Sequence, residues 1–422
     1  MARTPKLDRE QSISYHEGSG AQSMARNAYN KLTKMLDRLV GTLAGPLDLD
    51  PEQLLREAEA EVGACFHKQP SVQPQLGYFF ADMEEQNPSD LGRALLILSC
   101  KKFLTNRLLL ERELRAEPSC QTRAIKQPVF IVGLQRTGST YLQALLADDD
   151  DARAFRLWEL AHPTSNISSR ARQRKAKLTC LARSFLQPKM SGIHPLSFDS
   201  FEECMWLFAN SWAVVCYGLQ AYLPRWEQWL AGADMAEHYR FYRRQLQLLR
   251  GHDDGRRLVL KCPDHLWHLD ALLNTFPDAR IIWTHRDPLA IVPSYCSLTA
   301  QNLISLFGRC DPARIGDHVR TRLCSGIDRG LAQRALISPE QIIDIQYDQL
   351  VKNPSETMER IYRHFGWPMG ERYRWQIGQR NQRTKKRISH AYALSDYDLT
   401  SAQIRVSFAP YYDFIQQWLP EE

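Results

Sequence analysis

The stretch Pro128–Leu146 has the sequence PVFIVGLQRTGSTYLQALL, and the rest of the chain is organised around it. Four apolar residues, Val129 to Val132, predict a short buried parallel strand. A turn framed by glycines, GLQRTGST, follows from Gly133 to Thr140, and leucines at helical spacing then predict a helix that begins near Ser139. These elements together predict a phosphate-binding cradle, because the loop N–H groups and the positive end of the helix point into one hollow.

The loop fits the spacing of the nucleotide-binding P-loop, G-x-x-x-x-G-K-[S/T], with one change. Gly133, Gly138 and Thr140 are at the expected positions, but Ser139 replaces the lysine that normally reaches the outer phosphates of ATP. Arg136, inside the loop, is the nearest cation along the chain. The motif alone is also compatible with an ordinary strand–helix turn that binds no phosphate.

A second stretch, Arg280–Leu298, has the sequence RIIWTHRDPLAIVPSYCSL and predicts another strand followed by a helix. Asp287 can cap that helix, and a proline follows at its first turn. Arg286 lies at the carboxyl end of the strand, where open α/β sheets bind ligands. Ser294 follows about two helical turns later, so both side chains can face one anion. Pro293 predicts a kink or a loosened turn.

These stretches resemble the donor-binding motifs of the sulfotransferases. GLQRTGST is similar to their 5′-phosphosulfate loop, and THRDPLAIVPS is similar to their 3′-phosphate motif. Further blocks follow the order of one broad branch of that family, namely Trp158–Glu159–Leu160, KCPDH (Lys261 to His265), FPDAR (Phe276 to Arg280) and HRDP (His285 to Pro288). The resemblance runs from about residue 90 to the C-terminus. It implies 3′-phosphoadenosine 5′-phosphosulfate (PAPS) as the donor, with no metal ion.

The resemblance also implies which residues hold this donor. We expect them in the loop, in the second motif and in a basic segment near the C-terminus: Gln135, Arg136, Thr137, Gly138, Ser139, Thr140, Arg286, Ser294, Arg383, Lys386 and Arg387. Better-known cytosolic sulfotransferases close a glycine-rich segment over the 3′-phosphate. That pattern is absent here, and the basic segment Gln379–His390 is either its replacement or only a basic loop.

Sulfuryl transfer requires that charge on the leaving phosphate oxygen be neutralised and that the acceptor hydroxyl lose a proton. Arg136 is the candidate for the first task, and Lys261 can add a further hydrogen bond. For the second task the resemblance favours Glu159, because its Trp-Glu-Leu block matches this branch of the family, and His265 is the alternative. Histidine has the more suitable intrinsic pKa, whereas the pKa of a glutamate must be raised by burial. Their structural alternatives are a helix-capping carboxylate and a buried imidazole.

The composition is typical of a globular protein. The 422 residues are 24% charged and 44% hydrophobic, and the net charge of +6 does not by itself suggest nucleic-acid binding. No apolar run approaches the ~20 residues of a membrane span, and no secretory signal is visible at the N-terminus. The ten cysteines form no C-x-x-C pair, which favours free thiols in the cytoplasm over a zinc site or disulfides.

Alternating strands and helices predict an α/β fold, in which a central parallel sheet flanked by helices resembles the P-loop NTPase-like sulfotransferase fold. Residues 1–24 are polar and are expected to be disordered. Residues 25–118 are expected to form a helical extension, and residues 119–422 the PAPS-dependent sulfotransferase domain. The extension covers the substrate pocket, forms a dimer contact or simply caps the domain.

Three further patterns bear on the substrate and on element boundaries. Helices are predicted at His265–Phe276 and Ala402–Trp418. The aromatic-rich residues 200–250 are interpreted as walls of an apolar acceptor pocket together with ordinary core. The many Arg and Lys residues within 168–189 predict a solvated helix face, with contact to an acidic substrate or to membrane headgroups as the alternative.

The sequence therefore favours a sulfotransferase that moves the sulfuryl group of PAPS to a hydroxyl of a small-molecule, lipid-like or carbohydrate acceptor. One alternative is a P-loop kinase-like phosphotransferase, which would need a lysine at position 139. Another is an inactive member that only binds nucleotide. The expected partner is an acceptor, apolar or lipid-like, and not a nucleic acid; peripheral membrane contact and a homodimer stay open.

Overall fold

The structure is a computed structural model that describes residues 33–43, 45, 47–65, 72–186, 196–219, 221–251, 255–384 and 393–416. The predicted disorder of residues 1–24 lies outside the described residues. So do Lys386, Arg387 and the side chain of Arg383, which were predicted to bind the donor.

Five parallel strands form one sheet: β1 Val129–Val132, β2 Ala152–Arg153, β3 Arg257–Lys261, β4 Arg280–His285 and β5 Ile342–Gln346. Their order across the sheet is β2-β3-β1-β4-β5. This arrangement confirms the predicted α/β class with a central parallel sheet. All four residues of β1 are buried, as expected for a central parallel strand covered on both faces.

The chain leaves β1 at the point where the strand order reverses, with β3 on one side and β4 on the other. Open α/β sheets bind ligands in the crevice at the carboxyl ends of the strands beside such a point. The sheet topology therefore places the glycine-rich loop at the position that this fold class uses for ligands.

Helices precede the sheet and cover it. The helices before it are α1 (33–43), α2 (Pro51–Val62), α3 (Gln73–Glu85) and α4 (Asp90–Ala116). Those between β1 and β4 are α5 (Ser139–Ala147), α6 (Leu157–Ala161), α7 (Ser169–Leu186), α8 (Met205–Ala209), α9 (Pro224–Gly232), α10 (Met235–Arg250) and α11 (Leu269–Thr275). Those after β4 are α12 (Pro288–Phe307), α13 (Pro312–Gln333), α14 (Tyr347–Lys352), α15 (Pro354–Phe365), α16 (Glu371–Thr384), α17 (Ser401–Ser407) and α18 (Ala409–Ile415).

Two predicted helices are interrupted. His265–Phe276 is a 3₁₀ turn, Pro263–Trp267, followed by α11, because His268 between them has a non-helical backbone (φ −143°, ψ 46°). The predicted helix Ala402–Trp418 is divided at Phe408 into α17 and α18, and a proline occupies the second position of α18. Residues 417 and 418 lie outside the described residues. By contrast, α12 continues through Pro293 as one helix.

The N-terminal helices share their core with the sheet. Leu54, Phe79 and Leu104 belong to the same buried hydrophobic cluster as Phe130 of β1. At the start of α4 the backbone N–H of Ser89 donates to Leu306 O at 3.0 Å, which joins α4 to the end of α12. The predicted boundary at residue 118, between the helical extension and the following domain, stays a prediction. The contacts show that the N-terminal helices pack against the rest of the chain as one layer.

All ten cysteines are free thiols. In the described part of the chain, no helix is both long enough and apolar enough to cross a bilayer.

Candidate active site

The glycine-rich loop has three residues with left-handed backbone angles. They are Gly133 (φ 126°), Arg136 (φ 72°) and Gly138 (φ 82°). A Cβ at Gly133 would lie 2.5 Å from Thr284 O, so the loop passes too close to β4 for any other residue. A positive φ is uncommon for arginine and marks backbone that the surrounding structure holds in place.

Helix α5 begins directly behind this loop with uncapped N–H groups. Its N-cap is Gly138, and no side chain among the described residues accepts a hydrogen bond there. Thr140, in the first turn, is exposed, whereas Thr137 is fully buried and hydrogen-bonds to Leu134 O at 2.7 Å. The loop therefore turns its own threonine inward and leaves the helix N-terminus open to an anion.

The two predicted phosphate motifs meet in space although they are far apart in sequence. Arg136 Nε donates to Ser294 Oγ at 3.0 Å, and Arg286 Nη1 donates to the backbone oxygen of Arg136 at 2.9 Å. The Arg286 guanidinium lies 4.0 Å from the ring centre of Tyr347, which also contacts the loop at Gly138. Two cations and a buried serine thus surround the mouth of the loop. Sequence reasoning missed Tyr347.

Lys261, at the end of β3, joins the loop to a carboxylate that the sequence analysis missed. Its Nζ donates to Thr140 Oγ1 at 3.3 Å and to Glu203 Oε1 at 2.6 Å. Lys261 is almost fully buried, which by itself would lower its pKa, but the carboxylates of Glu203 and Glu202 outweigh this effect and raise the pKa. Lys261 is therefore a fixed positive charge beside the loop.

Backbone hydrogen bonds fix the position of Glu203. The Cys204 N–H donates to Lys261 O at 2.9 Å, and Gln143 Nε2 of α5 donates to Glu202 O at 3.3 Å. Burial raises the pKa of Glu202. Adjacent glutamates in an otherwise aromatic and apolar stretch, FEECMWLF, were the only sign in the sequence, because 58 residues separate Glu203 from Lys261.

Glu159 is engaged with its own helix. Its Oε2 accepts from the backbone N–H of Arg156 at 2.8 Å, which makes it part of the capping box at the start of α6. Its Oε1 lies 3.4 Å from Arg153 Nη2. Glu159 therefore has the geometry of a helix-capping carboxylate, which was the structural alternative for this residue. The role of Glu159 as a base stays a prediction.

His265 lies inside the core. Its side chain is fully buried, Nδ1 lies 2.8 Å from Tyr239 Oη, and Nε2 has no hydrogen-bond partner among the described atoms. Burial lowers its pKa to about 3, so the ring is neutral near pH 7. The geometry resembles the structural alternative, and its catalytic role also stays a prediction.

A second buried carboxyl group lies behind the loop. Asp264 Oδ2 accepts from Cys216 N at 3.1 Å, and Gln135 Nε2 donates to Cys216 Sγ at 3.2 Å. Burial raises the pKa of Asp264 to about 6. Gln135 therefore contacts the protein interior with its side chain, which leaves its backbone for the predicted donor site.

Most of the aromatic residues in 200–250 are core. Phe208, Trp212, Trp226, Tyr239 and Tyr242 are each at least 98% buried and belong to the main hydrophobic cluster. Trp206 is only partly buried and follows Glu203 closely in the chain. Fewer of these aromatic side chains are thus available to line the predicted acceptor pocket than the composition suggested.

The chain is similar to known proteins in sequence and in fold. A model of the sulfotransferase family matches residues 128–371, which is more than half of the chain. Omega-hydroxy-beta-dihydromenaquinone-9 sulfotransferase Stf3 of Mycobacterium bovis, and the same protein of Mycobacterium tuberculosis, are 26% identical over 248 residues. That match covers 57% of this chain and 62% of each relative, so the chain spans about three-fifths of their length.

Two crystal structures are also similar. Sulfotransferase STF1 of Mycobacterium tuberculosis H37Rv superposes with a TM-score of 0.77 and 29% identity, covering 86% of this chain and all of that one. Sulfotransferase STF9 of Mycobacterium avium gives a TM-score of 0.75 at 24% identity, covering 88% of this chain and 97% of that one, and supports the fold alone.

Proposed function

The chain belongs to the sulfotransferase family, and we propose that it transfers a sulfuryl group from PAPS to a hydroxyl of a small apolar or lipid-like acceptor. In this reaction the bond from sulfur to the 5′-phosphate oxygen breaks and a bond from sulfur to the acceptor oxygen forms. The hydroxyl proton leaves to a base, and adenosine 3′,5′-bisphosphate is released. The meeting of Arg136, Arg286 and Ser294 at the open end of α5 carries the proposal.

These groups fit a donor with two separate phosphate positions. The uncapped N-terminus of α5 and the left-handed turn at Arg136 suit the 5′-phosphosulfate. Arg286 and Ser294, which both hydrogen-bond to Arg136, suit the 3′-phosphate, which ATP lacks. Side chains of the basic segment, Arg383, Lys386 and Arg387, are proposed to complete this second position.

Fixed cations would carry the charge that builds up during transfer. Arg136 lies within the loop and donates to Ser294, and Lys261 lies beside the loop and donates to Thr140. Such preorganised donors stabilise charge strongly where water is excluded. We assign Arg136 to the leaving oxygen and Lys261 to the sulfuryl oxygens, an arrangement in which no metal ion is required.

We add Glu203 to Glu159 and His265 as a candidate for the base and favour it. Lys261 Nζ donates both to Thr140 Oγ1 and to Glu203 Oε1, so the Glu203 carboxylate lies close to the loop. Among the described residues, Lys261 is the one side chain that donates a hydrogen bond to this carboxylate. Sulfuryl oxygens that compete for the Lys261 ammonium would free the Glu203 carboxylate to accept the proton of the acceptor hydroxyl.

Three variants test the assignment of the base. Glu203→Gln keeps the shape of the side chain and should lower kcat by about 100-fold or more, while the affinity for adenosine 3′,5′-bisphosphate changes little. Glu159→Gln and His265→Asn are measured beside it. A larger loss of kcat in either of them than in Glu203→Gln would transfer the role to that residue.

The acceptor class rests on two observations. Trp206, three residues after Glu203, is only partly buried and can offer an apolar surface to an acceptor. The name of the mycobacterial relative identifies its acceptor as an omega-hydroxylated dihydromenaquinone, a hydroxyl on an apolar chain. We propose an acceptor of the same general chemistry for this chain.

Isothermal titration tests the donor directly. Adenosine 3′,5′-bisphosphate should bind at least tenfold tighter than AMP, since each charged hydrogen bond contributes about 1.5–3 kcal/mol. Transfer of labelled sulfate to hydroxylated quinones and alcohols would then identify the acceptor. Preference for ATP with Mg²⁺ would indicate a kinase, and bisphosphate binding without transfer to any acceptor would indicate an inactive member.

A further inference from the structure

The charged side chains of helix α7 are all positive. Its sequence, SRARQRKAKLTCLARSFL from Ser169 to Leu186, contains six arginines and lysines and no aspartate or glutamate. Four of the cations are exposed, and no ion pair among the described residues engages them: Arg170, Arg174, Lys175 and Lys177. An exposed row of unpaired cations attracts an anionic surface.

The same helix exposes apolar side chains beside these cations. Leu178 is 60% exposed, Leu181 58% and Phe185 57%. Their spacing of three and four residues puts them on one face, which continues the line of Arg170 and Arg174 toward the C-terminal end of the helix. The exposed face is therefore basic in its first half and apolar in its second half.

The opposite face of α7 is occupied. Ala176 and Cys180 are buried, and Cys180 packs in a small cluster with Leu157 and Ala161 of α6, against which Trp206 also lies. Arg172 turns inward, with its guanidinium 4.8 Å from the ring centre of Trp158. The cationic and apolar face consequently points away from the protein, while its helix packs on elements that border the candidate active site.

We propose that the exposed face of α7 binds the surface of an anionic lipid bilayer. Leu178, Leu181 and Phe185 would enter the boundary between headgroups and acyl chains, and Arg170, Arg174, Lys175 and Lys177 would contact lipid phosphates. Charge complementarity selects this occupant, because a basic helix with an apolar face is the composition that binds in the plane of an interface. The inference does not depend on the donor chemistry, although it would bring an apolar acceptor close to α6 and Trp206.

Vesicle co-sedimentation with the full chain tests the proposal. The wild-type protein should sediment with phosphatidylcholine vesicles that contain about one third phosphatidylglycerol, and binding should weaken steeply as salt rises from about 0.1 M to about 1 M. Leu178→Gln/Leu181→Gln/Phe185→Gln should bind at least tenfold more weakly, and so should Arg170→Gln/Arg174→Gln/Lys175→Gln/Lys177→Gln. Glutamine is a good helix former, so α7 should persist in both variants, which circular dichroism checks.

A matched control changes three apolar residues that are equally exposed on other elements, as Leu98→Gln/Leu336→Gln/Val406→Gln. This variant should bind vesicles like the wild type. Equal losses in the control and the α7 variants, or equal binding to vesicles of phosphatidylcholine alone, would overturn the proposal.

Gel filtration of the same proteins tests whether a second copy of the chain, instead of a lipid surface, covers this face. A dimer that the α7 variants dissociate would make this face a contact between two copies of the chain and would overturn the lipid assignment. Titration with adenosine 3′,5′-bisphosphate on each sample reports on the donor site independently, so a failure of the proposed enzymatic function remains distinguishable.

Discussion

Arg136 combines an unusual backbone conformation with a long-range hydrogen bond in the candidate site. Its positive φ turns the loop, and its side chain reaches Ser294, 158 residues away. The residue thus serves both the shape and the charge of the site. These two contributions can be tested separately. Alanine removes the guanidinium group, whereas the backbone of residue 136 must still adopt a positive φ.

Arg136→Ala should lower kcat by about 100-fold or more, since a preorganised donor to the leaving oxygen is lost. The measurement is sulfate transfer at saturating donor, beside Arg136→Lys, which keeps the charge but not the planar shape. Activity of Arg136→Ala close to that of the wild type would remove the role assigned to this side chain.

Arg286→Ala should weaken binding of adenosine 3′,5′-bisphosphate by about 10- to 100-fold, because charged contacts to the 3′-phosphate are lost. Arg314→Ala is a matched control, since Arg314 stacks on Tyr222 at 3.9 Å much as Arg286 stacks on Tyr347 at 4.0 Å. Titration of both variants should show the loss for Arg286 only. An unchanged affinity in Arg286→Ala would show that the 3′-phosphate binds elsewhere.

At the scale of whole elements, helix α4 of the N-terminal region is attached to helix α12 through backbone contact. A Cβ added at Gly92, in the first turn of α4, would lie only 2.0 Å from Leu306 O at the end of α12. Glycine is therefore needed there for close approach and not for flexibility. Gly77, within α3, has no neighbouring atom that a Cβ would meet within 4 Å.

The two glycines should respond to the same substitution with opposite signs. Gly92→Ala should lower the free energy of unfolding by about 1–3 kcal/mol, because α4 and α12 must separate. Gly77→Ala should raise it by about 0.5–1 kcal/mol, because alanine favours the helix. Urea unfolding of both variants measures the difference. Equal stability of the two would mean that α4 does not pack on α12 as described.

At the scale of the whole molecule, the packing buries several histidines in neutral form. Burial lowers the pKa of His265 and His162 to about 3 and that of His238 and His268 to about 4. For His265 the nearby ring of His268 acts in the same direction. The unfolded chain protonates these side chains near pH 6.5, whereas the folded chain does not.

Between about pH 6.5 and pH 4 the unfolded state therefore binds more protons, and the folded state should lose stability as pH falls. Each such histidine contributes about 1.4 kcal/mol per pH unit below 6.5. Urea midpoints at about pH 7.5 and about pH 5.5 should show this decrease. His265→Asn, which can keep a hydrogen bond to Tyr239, should show a smaller decrease than the wild type. An identical decrease in both proteins would indicate that His265 is protonated in the folded state.

The candidate site was partly predictable because some of its requirements are local. The strand Val129–Val132, the glycines of the loop and the start of α5 follow from apolar patterning and steric limits over a few residues. The start of α12, with Asp287 accepting from Leu289 N at 2.8 Å, follows from cap chemistry in the same way. The broken helices at His268 and Phe408 were not predicted, because apolar spacing continues across both interruptions.

The sequence by itself determined the parallel α/β class, the glycine-rich loop between β1 and α5, and the positions of Arg286 and Ser294 after β4. Only the tertiary structure decided that Glu203 pairs with Lys261, that Tyr347 covers Gly138, and that His265 is enclosed by the core. The physical reason is distance along the chain. Helix and strand propensity and hydrophobic periodicity depend on residues that are close together in the chain. The partner of a buried charge depends instead on how separate elements pack, and the local sequence around each residue does not reveal that packing.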